Sequence, residues 1–570
     1  LPWLGAVLVW LAGDERSTVQ NRYAVVFSVL TGIASLVLLR FSSADPVIRL
    51  PLGKAFGDLT FVPDGLAVSL TAIAAVIGSL AVIFSVDYMH GEDQLGRYYF
   101  LVLFFIGAMT GLVLSGNLLF TFFFWEITAL SSYGLISFYN DDPKAVTAGI
   151  KALIMTQVGG VGLLAGTLIA FANLGSLQIS DLLAMASTLP AGALAWIAFS
   201  FLMAAAAKSA QFPFHTWLPD AMQAPTPVSA LIHAATMVNA GIYLLARFYP
   251  AFESVPAWTT SVLLVGLISA LLSSVSALTA NDLKRVLAYS TVSQLGYMVY
   301  AIGAGGVLAS QFHLLSHAVF KALLFLAAGS VIHSVGTRDL RRMGRLGARM
   351  PFVRNVFIIG SLALVGVPIL NGFWSKELIL EIGLEHSPIW AYAVMLLCAG
   401  LTAFYTFRMV WLVFFGKERE YLQVHTAGSA MRVSLGILAA GTCITWLFFG
   451  GLNELLASTL PFHDLEHETL REMIVAVISA PATWLAMSIV AVGLGTSWLR
   501  ARGLALFGGS WLSPFVESSF GFEWVNRLLV RGTYRIATQL SATQTGELNW
   551  NILGIISALL LVLLVLWLGA

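Results

Sequence analysis

The chain is a series of long apolar runs separated by short polar intervals. Apolar segments lie near 2–12, 22–41, 64–87, 98–115, 117–139, 148–172, 191–212 and 226–249. Others lie near 258–280, 286–305, 310–335, 354–371, 388–415, 432–451, 473–498 and 548–569. Several reach or exceed the ~20 residues that a helix needs to cross a hydrocarbon layer. Gly65 to Val86 and Leu548 to Ala570 carry no charge. A closed barrel would show alternating segments of ~10 residues, and that pattern is absent. The runs predict an all-α polytopic membrane protein with about sixteen spanning helices.

Composition agrees: 58% of the residues are hydrophobic and 10% charged, against about 25% charged in an ordinary soluble chain. A net charge of +1 leaves no nucleic-acid footprint. Loop charges then orient the helices. Arg338, Arg341, Arg342, Arg345, Arg349 and Arg354 crowd one loop, and Lys284/Arg285, Lys417/Arg419 and Arg500/Arg502 fall on the same side if the helix count holds. The opposite side collects Glu454, Asp464, Glu466, Glu468 and Glu472. The positive-inside rule places the basic loops in the cytoplasm and the first residue outside. That residue is leucine, so the start is expected to be trimmed or processed. Between 503 and 547 the pattern changes: Arg527, Arg531 and Arg535 recur every four residues with Leu528, Leu529 and Ile536 between them. This predicts a short amphipathic helix on the cytoplasmic surface, followed by a final anchor at 548–570. Cys398 and Cys443 lie in apolar runs and are expected to pack in the core.

The chemistry is carried by charges inside the runs. Glu126 is the only charge between Arg97 and Asp141, and Lys208 the only one between Asp181 and Asp220. Lys321 is the only one between Arg285 and Arg338; Lys376 and Glu377 adjoin in NGFWSKEL. A lysine at membrane depth costs about 3 kcal/mol or more, so such residues point to ion movement. For Lys376 and Glu377 the bland alternative is snorkelling to water from a helix end. His313, His317 and Lys321 follow at four-residue spacing and line one helix face over ~12 Å. Imidazoles there can pass protons; zinc ligation is the rival, with no third ligand nearby in sequence. His233 is placed to connect Lys208 with Lys321, or else is a packing residue. Pro213 after Lys208, and Pro368 before Lys376, predict broken helices.

At these residues the chain resembles the antiporter-like subunits of respiratory complex I and the Mrp-type cation/proton antiporters. The resemblance runs through KSAQFPFHTWLPDAMQAPTPVSALIHAATMVNAGIYLLAR, DLKRVLAYSTVSQLGYM, FHLLSHAVFKALLFLAAGSVIH and GFWSKE. It implies two inverted five-helix repeats, at 98–249 and 258–416, between N-terminal helices at 1–97 and C-terminal helices at 417–502. It implies that Glu126 pairs with Lys208, that His233 connects, that His313, His317 and Lys321 form the central relay, and that Lys376 with Glu377 is the outer exit. Complex I subunit L usually carries an arginine and an aspartate on its sixth helix, where this chain has Gln157 and Gly160; that stretch looks more like the large Mrp subunit. The lateral segment is short. Its 30–45 residues span at most ~45–65 Å as helix, enough for about one neighbouring subunit.

The expectation is a proton-translocating, non-redox subunit of a complex-I-related assembly, with no cofactor in this chain and energy supplied by partner chains. Partners would include at least one neighbouring antiporter-like or adaptor subunit, in an energy-transducing bacterial or archaeal plasma membrane. A sodium/proton antiporter module, a structural scaffold, and an ion-coupled uptake subunit for a substrate such as inorganic carbon are the alternatives.

Overall fold

A computed structural model describes residues 1–13, 16–53, 57–418, 426–502 and 519–543. Two units are resolved, Leu1–Glu517 and Ser518–Ala570. In the first, α1 (Pro2–Leu11) and α2 (Ser17–Leu38) precede a hairpin of β1 (Ile48–Pro51) and β2 (Asp58–Phe61). The hairpin is antiparallel and pairs Ile48 with Phe61 and Pro51 with Asp58. Then come α3 (Gly65–Tyr88), α4 (Leu95–Leu114), α5 (Leu118–Ile136), α6 (Pro143–Leu174), the short α7 (Ile179–Met185), α8 (Ala191–Lys208), α9 (Trp217–Asp220), α10 (Thr226–Ala230) and α11 (Asn239–Phe252). A second series follows: α12 (Trp258–Thr279), α13 (Leu283–Gly303), α14 (Val307–Val335), α15 (Pro351–Val365), α16 (Asn371–His386) and α17 (Ile389–Val410). It is succeeded by α18 (Ser429–Ile444), α19 (Phe449–Thr459), α20 (Leu470–Ser479) and α21 (Pro481–Ala501).

Twelve helices among the described residues are long and apolar enough to cross a membrane, fewer than the sixteen segments expected, although each described segment is helical. The shortfall has physical causes. Segment 286–305 forms α13, whose Ser290, Thr291, Ser293 and Gln294 lower its hydropathy while every one of them is buried. Segment 354–371 ends at Val365, and the unforeseen α16 begins at Asn371. Segment 2–12 forms only the ten residues of α1, too short to cross. Segment 473–498 divides at Pro481, which opens a new helix at its first turn, and the longer part, Pro481–Ala501, is among the twelve. Segment 548–569 lies outside the described residues, as does Arg419.

The centre of the unit is formed by α10, α11, α13 and α14. These helices are buried almost throughout, their polar residues included, as expected for elements with no solvent or lipid face. The outer flanks carry exposed Val26, Ile33, Phe123, Val161, Trp196 and Val492. The basic ends do share one side. Asp282 bridges Asp339, Arg338 pairs with Asp282 at 2.7 Å, and Arg349 pairs with Glu418 at 3.3 Å. Cys398 is buried as expected, but Cys443 is exposed, because it falls on the outer face of α18. In the second unit, α22 (Phe522–Thr543) is the amphipathic helix read from the arginine spacing, with Arg527, Arg531 and Arg535 exposed.

Candidate functional site

Two glycine positions build the first part of the site. Gly159 lets α6 lie against α8, for a Cβ there would stand 2.6 Å from the Ala207 Cβ. Gly160 leaves the space that the Glu126 Oε1 fills. Glu126, half-buried on α5, accepts a hydrogen bond from Gln157 Nε2. The two departures from subunit L therefore form the pocket of this carboxylate. Lys208, the last residue of α8, is completely buried. Its Nζ donates to the Trp125 carbonyl at 2.8 Å and sits 4.8 Å from the Trp125 ring centroid. The expected Glu126–Lys208 pair is thus not a direct ion pair. The ammonium is drawn to the backbone beside Glu126, and the two charges interact across the gap.

Beyond Lys208 the helix breaks, as Pro213 predicts. The loose backbone is bound by side chains: Ser269 Oγ accepts from the Phe212 N–H at 2.8 Å, and Trp217 Nε1 donates to the Ala207 carbonyl at 3.0 Å. This is how an interrupted helix is tolerated inside a membrane protein. Gln211 reaches the Ser209 carbonyl at 2.9 Å and the Val292 carbonyl of α13 at 3.4 Å. Gln211, Ser209 and Asn239 are buried polar residues between Lys208 and the central helices. No hydrogen bond links Lys208 directly to His233 among the described residues.

His233 lies in a π-helical turn, Leu231–Ala235, that interrupts the expected continuous helix. Carbonyls around the turn are bound by Thr236 Oγ1 (to Leu231, 2.7 Å) and Asn239 Nδ2 (to Ala234, 2.8 Å). The imidazole packs 4.9 Å from Phe325, and neither ring nitrogen has a hydrogen-bond partner among the described residues. It lies within electrostatic reach of Lys321 and of Lys284.

On α14, His313, His317 and Lys321 are all buried. Lys321 Nζ donates to Ser290 Oγ and, at 3.2 Å, to the Leu287 carbonyl, both on α13. The rings of His317 and His313 are 6.2 Å apart, and the nitrogens of His317 have no partner among the described residues. His313 spans Gln294 Oε1 at 3.1 Å and Ser375 Oγ at 2.9 Å, joining α13 to α16. Lys376 and Glu377 follow on α16. Both are buried rather than snorkelling. Lys376 Nζ donates to the Val365 carbonyl at 3.4 Å, freed by the break around Pro368, and stands 5.3 Å from the Tyr297 ring. Glu377 Oε2 is buried without a hydrogen-bond partner.

The sequence reading missed several polar contributors. Lys284, taken as a basic loop end, is buried with its Nζ on the Ala224 carbonyl at 2.6 Å. Lys151 is buried and pairs with Asp220 at 2.7 Å, which Arg285 also approaches at 3.5 Å. Asp64 and Arg247 form a buried forked pair, with Nη2 2.8 Å from Oδ1. Each of these charges sits near the end of an apolar run, so spacing alone could not separate it from a loop charge; the polar cluster SerThrValSerGln at 290–294 was the one legible signal.

The chain has relatives among known proteins. The profile described as NADH:quinone oxidoreductase/Mrp antiporter, TM, matches residues 115–402, and that of the complex I chain 5 N-terminus matches 51–99. Chain 5 of the NAD(P)H-quinone oxidoreductase of a Synechocystis species is 39% identical over 519 residues, 87% of this chain and 73% of that one. The Picosynechococcus chain 5 is 43% identical over 377 residues, 64% of this chain, and the match spans just 57% of that relative's length. Among solved structures, a chain of the Mrp complex from a Dietzia species superposes with a TM-score of 0.83 at 28% identity, covering 100% of this chain and 62% of that one. A chain of an archaeal membrane-bound sulfane sulfur reductase gives 0.72 at 25% identity, covering 81% and 96%. The chain belongs to the NADH:quinone oxidoreductase/Mrp antiporter family of membrane proteins.

Proposed function

We propose that the chain is a proton-translocating, antiporter-like subunit of a complex-I-related energy-converting assembly. One observation carries the reading: titratable side chains, half-buried at Glu126 and buried at the rest, are distributed through the packed interior, at Glu126 and Lys208, His233, Lys321, His317 and His313, and Lys376 and Glu377. Burying this many ionisable groups opposes folding, and structural ion pairs do not account for it, since Lys208, Lys321 and Lys376 rest on carbonyl and hydroxyl oxygens. An ammonium held only by neutral dipoles gives up or takes a proton when a neighbouring charge changes. Neutral imidazoles between the lysines can relay it through water. Glu126 and Lys208 would be the input, His233 and Lys321 the connection, and Lys376 with Glu377 the outer gate.

Two further features support the parts of the reading that concern repeats and partners. In 98–249 and 258–416 alike, the fourth membrane helix is broken and the fifth carries a π turn, at Leu231–Ala235 and Trp411–Phe415. Glu126 lies half-buried on a flank otherwise made of exposed Phe123, Leu130 and Val161. A neighbouring subunit would cover that flank and shield the carboxylate from lipid. Redox centres would sit on partner chains, and the assembly would lie in a bacterial or archaeal plasma membrane.

The decisive substitution is Lys321→Met. It keeps the volume and removes the protonatable amine. Coupled proton uptake in inverted vesicles is expected to vanish while the complex still assembles. Normal pumping by an assembled K321M complex would end the reading.

A further inference from the structure

A cavity of about 370 Å³ opens on the basic side of the fold, away from those titratable groups. Asn281, Arg341, Arg408, Trp411, Ser497 and Arg500 are among its lining residues. Arg408 is held in place. Its Nη1 donates to the Ala280 carbonyl at 2.8 Å and its Nη2 to Asn281 Oδ1 at 2.6 Å, and the other N–H groups of the fork have no hydrogen-bond partner among the described residues. Arg341 is braced by Asp339 at 2.8 Å. Arg500 lies exposed on the last turn of α21, its guanidinium 6.0 Å from the Phe404 ring centroid. No carboxylate among the described residues pairs with Arg408 or Arg500, and the two cations are close enough to repel each other.

Arg408 and Arg500 thus converge without a carboxylate partner among the described residues, and such guanidinium groups define an oxyanion site, because the planar fork matches phosphate geometry. The level in the membrane narrows the ligand. The cavity lies at the ends of two candidate membrane spans, Ile389–Phe415 and Pro481–Ala501. Trp411 lines it, and exposed Trp498 and Phe415 stand on the same helix ends. Aromatic residues of this kind mark the headgroup level, and basic pockets between helices on the cytoplasmic side suit anionic headgroups.

We propose that the cavity between the ends of α17 and α21 binds a phosphate-bearing anion, supplied by the headgroup of an anionic membrane lipid. Its arginines fix the phosphodiester while the acyl chains run down the apolar flank of α17 and α21. The site is independent of the proton relay, so it stands or falls apart from the function proposed above.

The test uses the full-length chain, delipidated in detergent and placed in nanodiscs of phosphatidylcholine with or without phosphatidylglycerol. Native mass spectrometry reads the retained lipid, and a thermal-shift titration with inorganic phosphate reads free anion. Phosphatidylglycerol should be retained in preference to phosphatidylcholine. R500Q should weaken retention about fivefold, at roughly 1 kcal/mol per arginine, and R408Q/R500Q further; R500K, which keeps the charge but not the fork, should lose less than R500Q. R432Q, an exposed arginine outside the cavity, is the control and should change nothing. Should R408Q/R500Q fail to fold, R500E alone provides the same reading. Equal retention by wild type and R500E, or equal loss in R432Q, overturns the site. Stabilisation by inorganic phosphate with no added effect of phosphatidylglycerol overturns the lipid as its source.

Discussion

Glu126 shows how few atoms define the chemistry of this chain. Its carboxylate is held by one amide, Gln157, in a space that exists because residue 160 has no side chain. Gly160→Ala should therefore push the carboxylate out of place. Overpacking of this sort costs about 1–3 kcal/mol, and vesicle assays should show pumping reduced toward the level of Glu126→Gln while the complex is retained. His463 provides a second test, outside the spanning helices. Burial, reinforced by the Arg247 charge and partly offset by its bond to the Ala246 carbonyl at 2.8 Å, pushes this imidazole from 6.5 down to about 4. The unfolded loop then binds a proton that the folded loop refuses, so stability falls as pH drops from about 6.5 to about 4 and is unaffected above that window. Hydrogen-exchange protection of residues 460–469 should decline across this range in the wild type and much less in His463→Asn.

At the scale of elements, the breaks carry the design. The π turn at His233 survives because Thr236 and Asn239 bind carbonyls around it. Asn239→Ala removes one of these bonds in a buried setting, and should lower stability by about 1–3 kcal/mol, seen as a drop in melting temperature together with reduced pumping. A melting temperature equal to wild type would show that the turn is held by packing alone. Breaks at proline were legible: Pro213 and Pro368 each fall in an interruption next to a buried lysine. The π turn was not legible, since ALIHAATMVNAG reads as uninterrupted helix, and α16 was hidden because its charged residues resemble a loop.

At the scale of the molecule, distant segments are joined by buried charge. Asp64 caps the start of α3 through the Ala67 N–H at 3.0 Å, and its carboxylate also binds Arg247 on α11, 183 residues away. Removing one partner leaves a buried charge unpaired, at about 3–5 kcal/mol. Asp64→Asn should therefore reduce the yield of folded protein in detergent, and a paired Asp64→Asn/Arg247→Met variant should recover much of it. If the double variant is worse than either single one, the pair is not acting as a unit.

Sequence alone determined the membrane class and the shared side of the basic ends, and it singled out Glu126, Lys208, His233, His313, His317, Lys321, Lys376 and Glu377 as candidates. An unmatched charge in a long apolar run is expensive wherever the run folds, so it stands out without coordinates. What each charge touches was decided only by tertiary structure. Lys208 meets a carbonyl rather than a carboxylate, Lys284 and Lys151 are buried rather than in loops, and three arginines from separate segments converge on one cavity. Those outcomes depend on which helix lies alongside, and helix neighbours are set by close packing at small residues, which linear spacing does not encode.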